Sequence, residues 1–524
     1  MYISYNTVDG NEYATAVRSV RNGSKVTKED RVYLGRVVDK ERGIYRSKAR
    51  GLFTYDASTG EFGRAPEDAE DIQPRRRNAK QERTRLTYCF GDIYLLCRFL
   101  HSSGLMACAD ACGHPNQDAV RALLCFYVLT SLANCHAKEW WEDTFARLLF
   151  PQARVSSQRI SEVLADLGSE DAKRRFMRAY LALLGKGGGK GRGRLAEDGG
   201  ILIDSTGLPN SARLPCTAVS KHNGEVSEEV RLIYVVQQGT GLPLFFRYVA
   251  GNVVDVSTVT RTIAELKAMG IATKFAILDA GYYSHANVEA LMDAKVSFLT
   301  RMRGGFKVYD DLVDNYLDGL ASRENAVLYH GRFVYVECHE VMLGSKADRH
   351  GYAYLCMDSA MRSELERDVA RRATEKGTPA AVAYDEMAKK GVFVLVSSRR
   401  IAKEKLLELY YTRDRVEKVF EVCKQDAKSL PLAVQTEETF RGHLLMCFMA
   451  TVVHKMMADV LAAEAPKSGL TVSSMMYFLS MQQAIAYDGQ YVTSEPTKMM
   501  NLAYKAFGIK CPDVILDPAK CIVA

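Results

Sequence analysis

No run of eighteen uninterrupted apolar residues, about the least that a membrane-spanning helix needs, occurs anywhere in the sequence. The longest apolar stretches, around Leu123–Leu132 and Leu444–Val453, fall short of it, so no membrane partner is expected. The opening residues, MYISYNTVDGNEY, lack a basic segment followed by an apolar one. That excludes a recognisable secretion signal and points to a cytoplasmic protein. A disulfide or zinc framework is missing too. The thirteen cysteines are odd in number and follow no repeating spacing, and in a reducing compartment such cysteines act as small buried apolar residues. Cys108, Cys112, His114, Cys135 and His136 cluster in the sequence but match no zinc template. Charge of one sign is also scarce. Lys and Arg number 70 against 63 Asp and Glu, a net charge of +7, too mild an excess to prove a polyanionic partner.

What is present is the balance of a folded protein, with 47% hydrophobic and 25% charged residues. A chain of 524 residues is long enough for two to four domains. Residues 1–80 read as a β-rich region, with VYLGRVVD and GLFTYD bounded by turn signals such as Asn22-Gly23 and Thr59-Gly60. This region closes on a charge run in which Glu67, Asp68, Glu70 and Asp71 precede Arg75, Arg76, Arg77, Lys80, Arg83 and Arg85. Arg75, Arg76 and Arg77 are candidate DNA contacts; a solvated surface explains the run equally well.

Residues 81–184 read as helical and as a candidate DNA-binding domain. Ser156 or Ser157 can cap a helix in which Ile160, Val163, Leu164 and Leu167 repeat at helical spacing, and AKRRFMRAYLALL follows it. The pair fits a helix-turn-helix reader of DNA or an ordinary helical pair. Gly185 to Gly200 contains eight glycines and reads as a flexible basic linker. Beyond it, ILIDSTG, VRLIYVVQ, PLFFRYVAG, KFAILDAG and VSFLTRMR alternate with helical segments, one of which Asp255 can cap. That pattern describes the first part of an α/β core over 201–303. Residues 304–391 read as a β-rich insertion with a charged helical stretch from Ser359 to Lys390. Residues 392–460 complete the core, and 461–524 form a helical tail.

Asp204 and Asp279 each end an apolar run and precede a small residue. If their strands are neighbours, the strand ends place two carboxylates together, where open α/β sheets build sites. Paired carboxylates call for a cation, and hard oxygen ligands suit Mg²⁺ or Mn²⁺. Helix caps or turns explain the same aspartates. The segment 401–428 reads as one amphipathic helix. At about 100° per residue, Tyr410, Arg413, Glu417 and Lys424 fall in a stripe about 60° wide along roughly 20 Å of helix. This stripe borders the buried face formed by Leu409, Val416, Phe420 and Cys423. An i, i+4 surface pair accounts for Arg413 and Glu417 alone, but not for a polar stripe beside the core.

The spacing Y-x2-R-x3-E-x6-K at Tyr410, Arg413, Glu417 and Lys424 resembles the signature of the insertion-sequence DDE transposases of the YREK class. Chance would produce it on the order of 0.01 times in a chain of this length. IDSTG at Asp204 and LDAGYYS at Asp279 resemble the family's two aspartate motifs. EETFRGHLLMCFMA and KAFGIKCP resemble its later segments, so the likeness covers about residues 200–524. It implies a multidomain α+β protein with a ribonuclease H-like α/β core and a largely β insertion, preceded by a small β region and a helical domain. It further implies metal-dependent cleavage and strand transfer of transposon ends, with Asp204, Asp279 and Glu417 as catalytic residues and metal ligands. Two Mg²⁺ or Mn²⁺ ions are implied, Asp204 bridging both and Asp279 and Glu417 each completing one.

By the same likeness, Tyr410, Arg413 and Lys424 would hold DNA phosphates of the transposon end. Arg301 and Arg303, at the end of a core strand, are further candidate backbone contacts. The partners implied are double-stranded DNA, as terminal inverted repeats and target, and a second copy of the chain in the DNA complex. The setting implied is a prokaryotic cytoplasm, in association with the nucleoid. Two other readings remain: a transposase-derived DNA-binding regulator without cleavage activity, and a ribonuclease H-like nuclease or resolvase. His443 and His454 lie in an apolar helix and read as core histidines, and Trp140 and Trp141 as anchors of the helical region.

Overall fold

A computed structural model of the protein describes all residues except 9–10, 23–24, 48–49, 67, 70–85, 186–198, 211, 213, 221–225, 254, 272, 345–348, 389, 428–429, 431–433 and 523–524. The arginines 75–77 and most of the Gly-rich linker therefore lie outside the described residues. The chain forms two compact units, Met1–Arg85 and Leu86–Ala524.

The first unit is an antiparallel meander of six strands in sequence order: β1 (Tyr2–Val8), β2 (Asn11–Asn22), β3 (Lys25–Asp39), β4 (Ile44–Ser47), β5 (Gly51–Tyr55) and β6 (Phe62–Arg64). Successive side chains of a strand point to opposite faces, so Ala14 and Ala16 share one face. They are buried there with Leu34, Tyr45, Phe53 and Tyr55. β2 and β3 are long, at 12 and 15 residues, whereas β4–β6 are short.

The second unit is built on a ten-stranded mixed sheet. Its strands are β8 (Gly200–Pro209), β9 (Ala218–Ser220), β10 (Ser227–Gln237), β11 (Pro243–Ala250), β12 (Phe275–Leu278), β13 (Ser297–Met302), β14 (Ala326–Tyr329), β15 (Arg332–Met342), β16 (His350–Asp358) and β17 (Val392–Ser397). The order is β11-β10-β8-β12-β13-β17-β16-β15-β14, with β9 paired to β10. β8, β12 and β13 are parallel neighbours, and every other pair is antiparallel. The parallel strands are connected through helices Val259–Ala268 and His285–Asp293. Strands covered on both faces are apolar along their whole length, and Phe275 to Leu278 are all buried. Thr258, not Asp255, stands at the N-cap position of helix Val259–Ala268, and its side chain makes no capping bond there.

The segment read as an insertion holds three helices besides its strands: Lys307–Leu320, Ser359–Lys376 and Ala380–Ala388. Its β16 pairs directly with β17, so these strands extend the main sheet. A smaller sheet joins β7 (Thr87–Cys89) to β18 (Gln483–Tyr487), β19 (Gln490–Thr493) and β20 (Val514–Ile515). The tail after residue 460 is thus helical only in part.

Helix Glu437–Glu464 crosses the core of this unit. It is long and apolar enough to span a membrane, but 83% of its most apolar window is buried inside the protein. Helix Ser157–Leu167 packs against it. A Cβ on Gly442 would lie 1.8 Å from the Leu164 carbonyl oxygen, closer than any side chain can stand, so only glycine allows the two backbones to approach. The next residue, His443, is buried and bonds the Tyr127 hydroxyl at 2.7 Å. His454, also buried, has Nε2 3.1 Å from the Val128 carbonyl. Both are core histidines, and the Gly442-His443 pair joins helix Glu437–Glu464 to the N-terminal helices. Trp141 bonds the Phe150 carbonyl at 3.2 Å and Trp140 packs on Phe126. The helices of 91–185 and the sheet of 200–397 thereby share one hydrophobic core.

Candidate active site

Asp204 does not end its strand. β8 runs on to Pro209 because its ladder with β10 continues to Glu229↔Pro209, whereas its pairing with β12 stops at Ile203↔Leu278. Asp204 is the first residue past that stop. Asp279 is the first past Leu278, leaving the sheet to begin the tight turn Ala280–Tyr282. The two aspartates therefore follow the last paired rung of adjoining strands, whose axes lie about 4.8 Å apart. The strand-end geometry expected of both holds for Asp279 alone; at Asp204 a step in the sheet edge replaces it.

Local bonds fix both residues. The Ser205 N–H donates to Asp204 Oδ1 at 2.8 Å. The Thr300 hydroxyl, buried on β13, donates to the Asp279 carbonyl at 3.1 Å. Thr300 was not a sequence candidate; its only signal is a small polar residue following the apolar Phe298-Leu299 and preceding Arg301.

The segment 401–428 is two helices, Lys403–Tyr411 and Asp414–Gln425. Between them the bonds tighten to an i−3 pattern: Arg413 N–H to Tyr410 O, Arg415 N–H to Thr412 O and Val416 N–H to Arg413 O. The uniform helical stripe is therefore broken at Thr412–Arg413, since a tightened turn advances by more than 100° per residue. The second helix is docked by its apolar face. Tyr234, opposite Asp204 on β10, stacks on Phe420 at 5.4 Å between centroids, and its hydroxyl lies 3.2 Å from Cys423 Sγ.

This docking brings Glu417 to the aspartates through Arg413. The Arg413 guanidinium pairs with Asp279 through one nitrogen and with Glu417 through the other at 3.3 Å. It also feels Asp204 electrostatically. Burial works against its charge, but Asp279, Tyr410, Asp204 and Glu417 more than offset burial, and its pKa is raised. Its carbon lies 5.8 Å from the Tyr410 ring centroid. Tyr410 is buried, which pushes its hydroxyl pKa up to about 12 against the pull of Arg413. Tyr411, beside it, stacks on Tyr329 at 5.4 Å.

The other candidates lie less centrally. Lys424 is half-buried and makes no ion pair among the described residues. Arg301 stands over Phe393 at 5.1 Å. Arg303 is exposed, its Nη2 3.4 Å from the Gly281 carbonyl in the turn after Asp279. No group of three or more His, Cys, Asp or Glu among the described residues is gathered closely enough to hold a metal. That applies to the Cys108 cluster. It applies to the three carboxylates as well, because Arg413 stands between Asp279 and Glu417. The donor set still fits a hard divalent cation by its chemistry: three carboxylates converge on one positive charge.

The family model described as the transposase DDE domain matches residues 196–453, a span that includes Asp204, Asp279 and Glu417. Residues 196–453 of the larger unit, on a mixed α/β fold, are thus similar to a transposase DDE domain. No curated protein matches the chain. Among solved structures, the piggyBac transposase synaptic complex with hairpin DNA, determined by cryo-electron microscopy, is similar at a TM-score of 0.40 and 11% identity. That likeness covers 75% of this chain and 80% of the other, and at such a score it carries no argument about this chain.

Proposed function

We propose that the protein is a DNA transposase that cleaves and joins transposon ends at a site formed by Asp204, Asp279 and Glu417. The observation that carries this reading is that Arg413 pairs with both Asp279 and Glu417, far apart in sequence, while Asp204 follows the last paired rung of the strand adjoining that of Asp279. The family match over the same residues supports it. So does the chain order, in which five strands, β8 and β10–β13, precede the inserted segment and the helix bearing Glu417. This order fits a ribonuclease H-like core of the insertion-sequence YREK type.

Asp204, Asp279 and Glu417 would together hold two Mg²⁺ or Mn²⁺ ions. Such a pair, when bound, supplies a nucleophile at neutral pH and stabilises the entering and leaving oxygens of an in-line displacement at phosphorus. The protein's part is positional. Thr300 and the Ser205 N–H hold the two aspartates at the step in the sheet edge. Tyr234, Phe420 and Cys423 hold the helix that presents Glu417. Arg413 neutralises Asp279 and Glu417 until a cation arrives, and its fork is then free to grip two phosphate oxygens. Tyr410, at the end of helix Lys403–Tyr411, and Lys424, in helix Asp414–Gln425, would extend that grip, as would Arg301 and Arg303 at the neighbouring strand end. The partners are transposon-end and target DNA, bound by a pair of chains.

A supercoiled-plasmid excision assay with Mg²⁺ tests the reading. Strand cleavage at inverted repeats followed by joining is expected. Specific end binding without cleavage would make the protein a regulator, and cleavage without joining a nuclease.

A further inference from the structure

Away from the carboxylates, a cleft of about 940 Å³ opens between helix Glu170–Gly185, the edge strand β11 and helix Val259–Ala268. Its charged lining is Lys173, Arg174, Arg178, Arg247 and Arg261 against Glu170 and Glu265. Arg247 and Arg261 share Glu265, at 3.8 and 3.3 Å. Lys173, Arg174 and Arg178 have no carboxylate within ion-pair distance among the described residues. Arg174 and Arg178 are exposed. The Lys173 ammonium instead lies over the faces of Phe246 and Phe245, 4.7 and 5.1 Å from their centroids. Burial lowers its pKa, a cost that an anionic partner would relieve. Among the described residues of the cleft, the carboxylate opposite these three cations, Glu265, is already shared by Arg247 and Arg261.

The cleft lies near the candidate active site. β11 is separated from β8 only by β10, about 10 Å across the sheet. Phe246, under the Lys173 ammonium, shares a register line and a sheet face with Tyr234 and Asp204, whereas Arg247 lies on the opposite face with Ile233 and Ser205. The helix carrying Lys173, Arg174 and Arg178 is the second of the helical pair read as a possible DNA reader. Its basic face lines a cleft beside β11, and bare phosphates fit that cleft better than base edges do.

We propose that this cleft holds the sugar-phosphate backbone of duplex DNA, independently of sequence, beside the segment being cut. The inference rests on the transposase reading and gives that reading a second DNA contact remote from the metal ligands. Backbone contacts of this kind release counterions, so the logarithm of affinity falls linearly with the logarithm of salt concentration, by about 0.9 per phosphate neutralised.

The test measures duplex binding by the full chain in EDTA, by fluorescence anisotropy over a range of KCl. The chain is compared with Arg174→Ala/Arg178→Ala and with a control, Arg371→Ala/Arg372→Ala/Lys390→Ala, whose cations are already paired. The salt slope of the cleft variant is expected to fall by about 2, equally on an inverted-repeat duplex and an unrelated one, with the control unchanged. A slope equal to that of the parent overturns the proposal. So does a fall confined to one duplex, which would make the cleft a base reader. Because no cleavage is measured, a protein that fails to cut DNA yet shows the expected slope change would overturn the catalytic reading and leave the cleft standing.

Discussion

Two charged regions of the larger unit are built in opposite ways. At Arg413 one cation is surrounded by carboxylates. In the cleft beside β11, five cations face two carboxylates, and three of the five have no ion pair among the described residues. Each region is short of the opposite charge, so the first suits added cations and the second an added polyanion. A third place sharpens the contrast. Asp92 is buried with no cation, held by the Ile93 N–H at 2.8 Å, and burial pushes its pKa up to about 6. A carboxylate without a counter-charge takes up a proton; the carboxylates around Arg413 have a cation instead.

The predictions follow in order of expected size. Replacing Asp204, Asp279 or Glu417 with Ala should lower the single-turnover rate of end cleavage by about 10³-fold or more, with duplex affinity in EDTA little changed. A variant that cuts at the parental rate removes that residue from the site.

Next in size is Phe448→Ala. Phe448 packs against Phe176 and Tyr180 of the helix lining the cleft and against Tyr234 and Phe246 beside Asp204. Its loss should destabilise the larger unit by about 3 kcal/mol or more, in one cooperative denaturation step seen by probes on both regions. Two separate transitions would mean that the regions do not share a core.

Asp92→Asn tests the isolated carboxylate. Its folded pKa is raised, so the folded state binds the proton more tightly than the unfolded chain. The penalty is absent at low pH and grows as pH rises from the ordinary carboxylate range through about 6. The variant's stability relative to the parent should therefore increase between pH 4 and pH 7, by about 2 kcal/mol. A constant difference across that range would show that Asp92 is not titrating.

The smallest effect is expected from Arg413→Gln. Removing the competing cation should tighten Mn²⁺ binding by about tenfold while weakening the grip on end DNA. Weaker Mn²⁺ binding would mean that Arg413 organises the carboxylates rather than competing for them.

Much of the larger unit's strand pattern was legible because buried parallel strands are continuous apolar runs, as at ILI before Asp204 and FAIL before Asp279. The step at Asp204 was not legible, because the length of the β8–β10 ladder depends on residues 227–237 folding back on it. The break at Thr412–Arg413 was hidden for a similar reason: both residues keep helical backbone angles, and no Gly or Pro marks the tightened turn. Sequence spacing placed Arg413 beside Glu417 but gave no sign that it also reaches Asp279, a contact between elements more than a hundred residues apart. The basic cleft was half visible, as the charged face of AKRRFMRAYLALL. Its other wall comes from Arg247 and Arg261, which only the sheet order brings there.

The central claim is that the carboxylates around Arg413 form a cation site. Titrating the full chain, bound to a transposon-end duplex, with Mn²⁺ and counting bound ions by electron paramagnetic resonance tests it directly. The account predicts two ions per chain, with occupancy lost in Asp204→Ala and reduced to one in Asp279→Ala or Glu417→Ala. Equal Mn²⁺ uptake by the parent and all three variants would contradict it.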